Sequence, residues 1–379
     1  MIEQVAQFIQ EKFQTTNFIP LHEPRFVGQE KEYLTKTIES TFVSSVGEYV
    51  DRFENDICDF TQSSNAIAVV NGTSALHLAM MLAGVKTGDL VITQALTFVA
   101  TCNAIKYCNA DPILLDVAKK TLGLCPDALN AWLDENAAMN QDGCCVLKNS
   151  NRPIRACVPM HTFGHPVEID LIISICKKWN ISVIEDAAES LGSLYKNIHT
   201  GTFGFMGTLS FNGNKIVTTG GGGAVLCNHE TYIKGKHLST TAKVPSSTHF
   251  FHDQVGFNYR MPNLNASLGC AQLESLNFFV EKKRNLAMEY MQFFKNTDFS
   301  FFSEPENCHS NYWLNTILSE DQAHRDDFLL SMKKHQIMAR PIWTPMHELP
   351  MFTNALRDDL TNTMWLADRI INIPSSVII

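Results

Sequence analysis

The sequence predicts an α/β fold, with a large domain built on a mostly parallel sheet covered by helices on both faces, and a smaller α+β domain after it. Three observations predict it. From about residue 60, short β-branched runs alternate with amphipathic helical stretches, which is the pattern of strand–helix–strand units. After residue 270 that alternation gives way to a long helical stripe and shorter mixed elements. The 379 residues are 45% apolar and 18% charged, so there is enough apolar material for a sizeable core and no bias toward disorder.

Taken in order, Ile2, Val5, Phe8, Ile9 and Phe13 recur at helical spacing. Glu3, Glu11 and Lys12 interrupt the apolar run that a secretory leader needs. Strands are expected at AIAVV (66–70), LVITQ (90–94), PILLDV (112–117), RACVPMHTF (155–163), ISVIEDAA (181–188), GTLSFN (207–212) and AVLC (224–227). Helices are expected at SALHLAMMLAG, PDALNAWLDENA and VEIDLIISICKKWN, where apolar residues return every three or four positions. The polar stretch 140–153 reads as a surface excursion with a small hairpin. LESLNFFVEKKRNLAMEYMQFFKN (273–296) reads as one long helix with Leu276, Phe279, Val280, Leu286, Tyr290 and Phe294 on a common stripe, long enough to bridge two domains. The division expected is 1–270 and 271–379, with the N-terminal 30 residues or so packing on the smaller unit.

A net charge of −9 argues against a general affinity for nucleic acid or anionic lipid. No stretch approaches the ~20 apolar residues of a membrane span. Eleven cysteines, an odd number without a CxxC pair, argue against a disulfide framework and for a reducing, cytoplasmic setting. His161 and His165 are four apart, but Gly164 and Pro166 oppose a helix there and no HExxH is present, so no metal site is predicted.

In an open parallel sheet, ligands sit beyond the carboxyl ends of the strands. Three segments end there with chemistry to offer. Asn71-Gly72-Thr73-Ser74 closes a strand and opens a helix, which suits either a phosphate group or an ordinary helix cap. Glu185-Asp186 ends an apolar strand, where a carboxylate could pair with a protonated ring nitrogen, bind a metal, or cap a helix. Ser210 and Lys215 lie between apolar strands, ahead of Thr218, Thr219 and four glycines. A lysine near a bound cofactor loses proton affinity and becomes an amine able to form a Schiff base, although most lysines are simply solvated. Taken together, a phosphate site, a strand-end carboxylate and a lysine 29 positions after it meet the needs of pyridoxal 5′-phosphate. Phe98 could stack on its ring.

The order of NGTSALHLA (71–79), TFVAT (97–101), HTFGHP (161–166), IEDAAESLG (184–192), SFNGNKIVTTGGGG (210–223), GFNYRMPNLNASLGCAQLE (256–274) and SNYWLN (310–315) resembles the fold-type I pyridoxal-phosphate sugar aminotransferases of the DegT/StrS type, over nearly the whole chain. The resemblance implies Lys215 as the Schiff-base lysine and Asp186 as the partner of the pyridine nitrogen. It implies Thr73, Ser74 and Ser210 at the cofactor phosphate, Phe98 on the ring, and Glu189 near the ring hydroxyl, where many relatives have glutamine. Asn258 is expected to reach the cofactor phosphate of a neighbouring subunit, which makes the site a property of a homodimer. Relatives that dehydrate sugars with pyridoxamine phosphate have histidine in place of Lys215, so transamination is expected over dehydration. The intact Lys215, Asp186, Thr73, Ser74 and Ser210 argue against a non-catalytic sensor.

The finer match, IPLHEPRFVGQEKEYL (19–34), STFVSSVGEYVDRFE (40–54), VPMHTFGHP (158–166) and ARPIWTPMHELPMF (339–352), looks like the subgroup acting at C4 of UDP-4-keto-6-deoxy-N-acetylhexosamines in legionaminic acid or bacillosamine pathways. The amino donor implied is glutamate. His161, Phe163, Trp343 and His347 are candidates for lining the sugar site. Asn311, Tyr312 and Trp313 could contact substrate or merely pack, and Arg25, Lys243 and Arg260 are candidate partners of the diphosphate.

Overall fold

The computed structural model describes residues 1–246 and 248–379. Its main sheet holds seven strands in chain order: β1 (Asn65–Val69), β2 (Leu90–Gln94), β3 (Asp111–Leu115), β4 (Ile154–Val158), β5 (Ser182–Asp186), β6 (Met206–Ser210) and β7 (Gly223–Cys227). The spatial order is β1-β7-β6-β5-β4-β2-β3, and a two-residue strand, Leu356–Arg357, closes the far edge against β3. Only β7 runs against its neighbours; β6, β5, β4, β2 and β3 pair in parallel. The carboxyl ends of β1, β2, β4, β5 and β6 therefore lie along one rim, and the glycine-rich start of β7 returns to that same rim.

These strands form where β-branched and aliphatic residues run together, and they are buried on both faces, as strands between two helix layers must be. The stretch 155–163 is the exception. Its strand stops at Val158, because Pro159 has no N–H to continue a ladder, and Thr162–Gly164 forms a short 3-10 turn with Phe163 in the left-handed region (φ 56°). The excursion at 140–153 does carry a hairpin, Ala137–Met139 against Cys145–Leu147.

The helical stripe at 273–296 is two helices rather than one. Asn263–Glu274 ends at Ser275, and Leu276–Phe294 starts there. Ser275 serves both: its N–H bonds back to Gln272, and its carbonyl accepts from Phe279. The second helix still spans two cores. Leu276, Phe279 and Val280 pack with Phe53, Phe211 and Val217, whereas Leu286, Tyr290 and Phe294 pack with Ile317, Phe328 and Ile371.

That second core lies under a four-stranded antiparallel sheet ordered Ser300–Phe301, Asn315–Leu318, Ile370–Ile373, Arg340–Pro341. Val5, Ala6 and Ile9 of the first helix, together with Ile19, complete it. The chain then crosses back as an extended strap. Leu21 accepts from the Ser375 N–H at 2.7 Å, Glu23 N–H donates to Ser376 Oγ at 2.9 Å, and Arg25 Nε donates to the Val377 carbonyl at 2.9 Å.

Candidate active site at the carboxyl rim of the sheet

Lys215 stands in the turn that follows β6, held by a bond from its N–H to the Asn212 carbonyl at 3.0 Å. Its Nζ lies 3.2 Å from Glu189 Oε1 and 3.9 Å above the Trp313 ring. The other Glu189 oxygen accepts the Phe163 N–H at 2.9 Å, which accounts for the left-handed turn at Phe163: that conformation aims a backbone donor at the carboxylate. Burial dominates over Lys215 and lifts the Glu189 pKa to about 7. This carboxyl can hold or release a proton near neutral pH.

Asp186 ends β5 and is 2% exposed. Oδ2 accepts from Thr101 Oγ1 at 2.7 Å and Oδ1 from the Ala188 N–H at 3.2 Å. Burial raises its pKa, opposed first by the Thr101 hydroxyl. Among the described residues no cation is paired with it. A buried carboxylate without a countercharge is costly, and a protonated ring nitrogen would supply one. Thr101 lies in the first turn of the helix Val99–Tyr107, and Phe98 is the residue that precedes that helix. The ring of Phe98, 47% exposed, thus belongs to the same short segment that holds Asp186.

Thr73, Ser74 and Ser210 meet where β1 and β6 end. Gly223 pairs with Val69 on one side and Ser210 on the other. A Cβ on Gly72 would fall 2.9 Å from the Ser210 Cβ, and one on Gly223 would fall 2.5 Å from the Asn71 carbonyl carbon. Backbone approach this close requires glycine at both places. Asn71 caps the helix Gly72–Leu82 by accepting the Ser74 N–H at 2.8 Å, and the N–H groups of Gly72 and Thr73 find no acceptor among the described residues. Two open N–H groups and three hydroxyls at a helix start suit a phosphate group.

The chain matches the model of the DegT/DnrJ/EryC1/StrS aminotransferase family over residues 24–378. The chain belongs to that family. It is similar to a putative pyridoxal phosphate-dependent aminotransferase, EpsN, of Bacillus subtilis (37% identical over 340 residues, 89% of this chain and 84% of the relative). It is also similar to GDP-perosamine synthase of Escherichia coli O157:H7 (35% over 342 residues, 89% and 87%). Among solved structures, the aminotransferase TlmJ of Streptoalloteichus hindustanus shares the fold, with a TM-score of 0.85 at 23% identity, covering 95% of this chain and 94% of that one. The chain is a fold-type I aminotransferase dependent on pyridoxal phosphate.

In this aminotransferase an aromatic wall joins several expected residues. Phe98 lies 6.1 Å from Trp343, Trp343 lies 5.1 Å from Phe163, and Phe163 lies 6.5 Å from Trp313, the ring beneath Lys215. Phe163 is buried, so it shapes this wall from behind. His161, expected to line the sugar site, has neither ring nitrogen free. Nε2 bonds Glu185 at 3.0 Å and Nδ1 accepts the Val167 N–H at 3.2 Å, all within the core. His165 is also fully buried, packed edge-on to Phe302 and Tyr312. His347 sits in the turn Met346–Glu348, with burial lowering its pKa.

Asn258 is exposed, its side-chain oxygen accepting two bonds from Arg260 at 3.1 and 3.2 Å. Asn311 is buried and fixes the wall, donating to the Glu189 and Leu191 carbonyls and accepting the Trp313 N–H. One contributor went unread: Thr101 ends the TFVAT segment, where its spacing from Phe98 was the available signal.

Proposed function

We propose that this aminotransferase moves an amino group from glutamate to C4 of a nucleotide-linked 4-keto-6-deoxy sugar, with the UDP-linked N-acetylhexosamines of legionaminic acid or bacillosamine routes as the first substrate class. The observation that carries the transfer chemistry is Lys215, placed against Glu189 and over Trp313 at the rim where Asp186, Ser210 and the start of the helix Gly72–Leu82 converge. When bound, pyridoxal phosphate would supply an electron-withdrawing ring and, attached to it, an aldehyde carbon able to take the amino group from one substrate and yield it to the other. Asp186 keeps the ring nitrogen protonated. Thr73, Ser74, Ser210 and the open N–H groups of the helix start hold the phosphate, and Phe98 covers one ring face. Lys215 carries the proton to and from the reacting carbon, a general acid–base role that suits an amine already engaged by a carboxyl titrating near 7. Glu189 orients that amine and exchanges a proton with its surroundings.

We propose further that the enzyme works as a homodimer in which Asn258 completes the neighbouring subunit's phosphate site. Supporting this are the outward position of Asn258 and the exposed apolar residues Phe26, Ile38, Phe42, Val46, Phe250, Phe251 and Val255, an unusual amount for a surface facing only water. The separate four-stranded sheet supports a division into units 1–270 and 271–379. Among the described residues no helix is long and apolar enough to cross a membrane. With all eleven cysteines free, we place the enzyme in the cytoplasm.

A second sugar reading has a specific basis, the 35% identical relative named for GDP-perosamine. The test is an absorbance titration of the holoenzyme. Glutamate should convert the bound cofactor to its amine form, and UDP-4-keto-6-deoxy-N-acetylglucosamine should restore it. Restoration only by a GDP-linked 4-keto-6-deoxyhexose would replace the UDP reading. No response to glutamate would end the donor assignment.

A further inference from the structure

Two segments at the carboxyl rim, the turn after β4 and the end of β5 with the residues that follow it, are joined by three rungs. His161 Nε2 lies 3.0 Å from Glu185 Oε2, the His161 N–H donates to the Asp186 carbonyl at 3.1 Å, and the Phe163 N–H donates to Glu189 Oε2 at 2.9 Å. All five residues are buried. Because His161 Nδ1 accepts the Val167 N–H, the ring hydrogen sits on Nε2 and points at Glu185. The Glu185 carboxylate is itself tied down, accepting the Gly201 N–H at 2.8 Å and the N–H groups of Phe203 and Gly204 at 2.7 Å each.

Phe163 needs such a brace. Its φ of 56° is a conformation that a residue with a side chain adopts at a cost, and relaxing it would turn the N–H away from Glu189. Gln94, which ends β2, holds the flanking residues from the other side, accepting the Met160 N–H at 2.9 Å and donating to Thr162 Oγ1 at 3.0 Å. The tie toward β5 comes from His161. We propose that His161, anchored on Glu185, is a positioning residue for the proton exchange at Lys215: it keeps the Phe163 N–H on one oxygen of Glu189 while the other oxygen faces the amine. This rests on the roles given to Glu189 and Lys215 above. The charged groups that face Glu189 are Lys215, at 3.2 Å, and Asp186, three residues earlier; the turn 161–164 brings it a backbone N–H. That N–H favours the ionised carboxyl, so losing it pushes the Glu189 pKa further up from about 7.

His161→Asn isolates the tie: its amide oxygen can still accept from Val167, but the side chain is too short to reach Glu185, a reach that His161→Gln restores. In the holoenzyme at saturating glutamate, the rate of cofactor conversion against pH should carry one midpoint that Glu189→Gln abolishes. In His161→Asn that midpoint should lie about one pH unit higher. The glutamate concentration for half-maximal conversion should stay within about twofold of wild type, and His161→Gln should fall between the two. In the Glu189→Gln background, His161→Asn should change the rate little further. A second readout needs no turnover. In cofactor-free enzyme labelled with 15N-phenylalanine, the Phe163 amide signal, assigned by its loss in Phe163→Leu, should move with pH about a midpoint near 7. A wild-type Phe163 amide indifferent to pH from about 5 to 9 would overturn the proposal even if His161→Asn does not fold. An unmoved midpoint in folded His161→Asn would overturn it, and so would an equal rate loss with and without Glu189, the mark of a residue that only holds the fold. A wild type inert to glutamate whose Phe163 amide still titrates would overturn the transfer chemistry of Lys215 and this role with it, whereas a responsive wild type with an unmoved variant overturns this inference alone.

Discussion

Thr101 donates its hydroxyl hydrogen to Asp186 across 2.7 Å, from the first turn of the helix that Phe98 precedes. The position of the aromatic ring and the charge of the carboxylate are thereby set by a single four-residue segment. Because this bond opposes the burial that raises the Asp186 pKa, removing it has a defined sign. Thr101→Val keeps the shape and loses a bond to a charged acceptor worth ~1.5–3 kcal/mol. Asp186 then holds its own proton more firmly and pairs less well with a ring nitrogen. We expect cofactor affinity to fall about tenfold or more, read by fluorescence or absorbance titration of the cofactor-free enzyme, with the loss shrinking as pH rises.

Glu189 gives the fold a pH signature. Its folded-state pKa of about 7 lies above the ordinary carboxyl value of 4.5, so the native state binds more protons than the unfolded chain between those limits. Stability contributed by this group is therefore greatest at the acid end and declines as pH rises from about 4.5 through 7. Glu189→Gln removes the titration. In urea denaturation of the cofactor-free protein at pH 5 and pH 8, the wild type should lose more stability across the interval than the variant, by an amount on the order of 1–3 kcal/mol. Parallel curves would contradict the assignment.

Lys215→Arg keeps a cation beside Glu189 and over Trp313 but removes the reactive amine. Turnover should fall by a factor on the order of 1,000 or more, and the absorbance of the covalently held cofactor should vanish, while the melting temperature of the cofactor-free protein changes little. Substantial turnover in this variant would sink the mechanism.

Mixing two inactive variants tests the shared site. Asn258→Ala and Lys215→Ala homodimers each lack one element from both sites, whereas a mixed dimer regains one complete site if Asn258 acts across subunits. Activity should reappear after co-refolding or co-expression with distinguishable tags. A demonstrably mixed dimer without activity would place the role of Asn258 inside its own chain.

Gly223→Ala tests the phosphate cradle through packing alone. The added methyl would lie 2.5 Å from the Asn71 carbonyl carbon, so β7 and the helix start must separate. A stability loss of ~1–3 kcal/mol is expected, with weakened cofactor retention. Gly213→Ala, where a Cβ meets nothing within 4 Å, is the matched control in the same rim.

Much of this architecture was legible because it is local. LVITQ is a strand over its full length, and the carboxyl ends of β1, β5 and β6 carry Asn71, Asp186 and Ser210 to one rim, as alternating strands and helices require. Contacts between distant segments were not legible. Nothing in IPLHEPRF indicates that Leu21 will bond to Ser375, or Glu23 to Ser376. His161 misleads for a related reason: a histidine in a motif reads as available, yet Glu185 and the Val167 N–H, supplied by other elements, occupy both its nitrogens. The break at Ser275 was hidden because Leu273 and Leu276 are both buried, which keeps the apolar stripe continuous across it.

The edge strand Leu356–Arg357 pairs with β3 some 240 positions earlier in the chain, and the strap Ile19–Arg25 is bonded to Ser375, Ser376 and Val377. On the ribosome, β3 is made early and waits with a bare edge until Leu356–Arg357 emerges, and the strap waits likewise for partners more than 350 positions downstream.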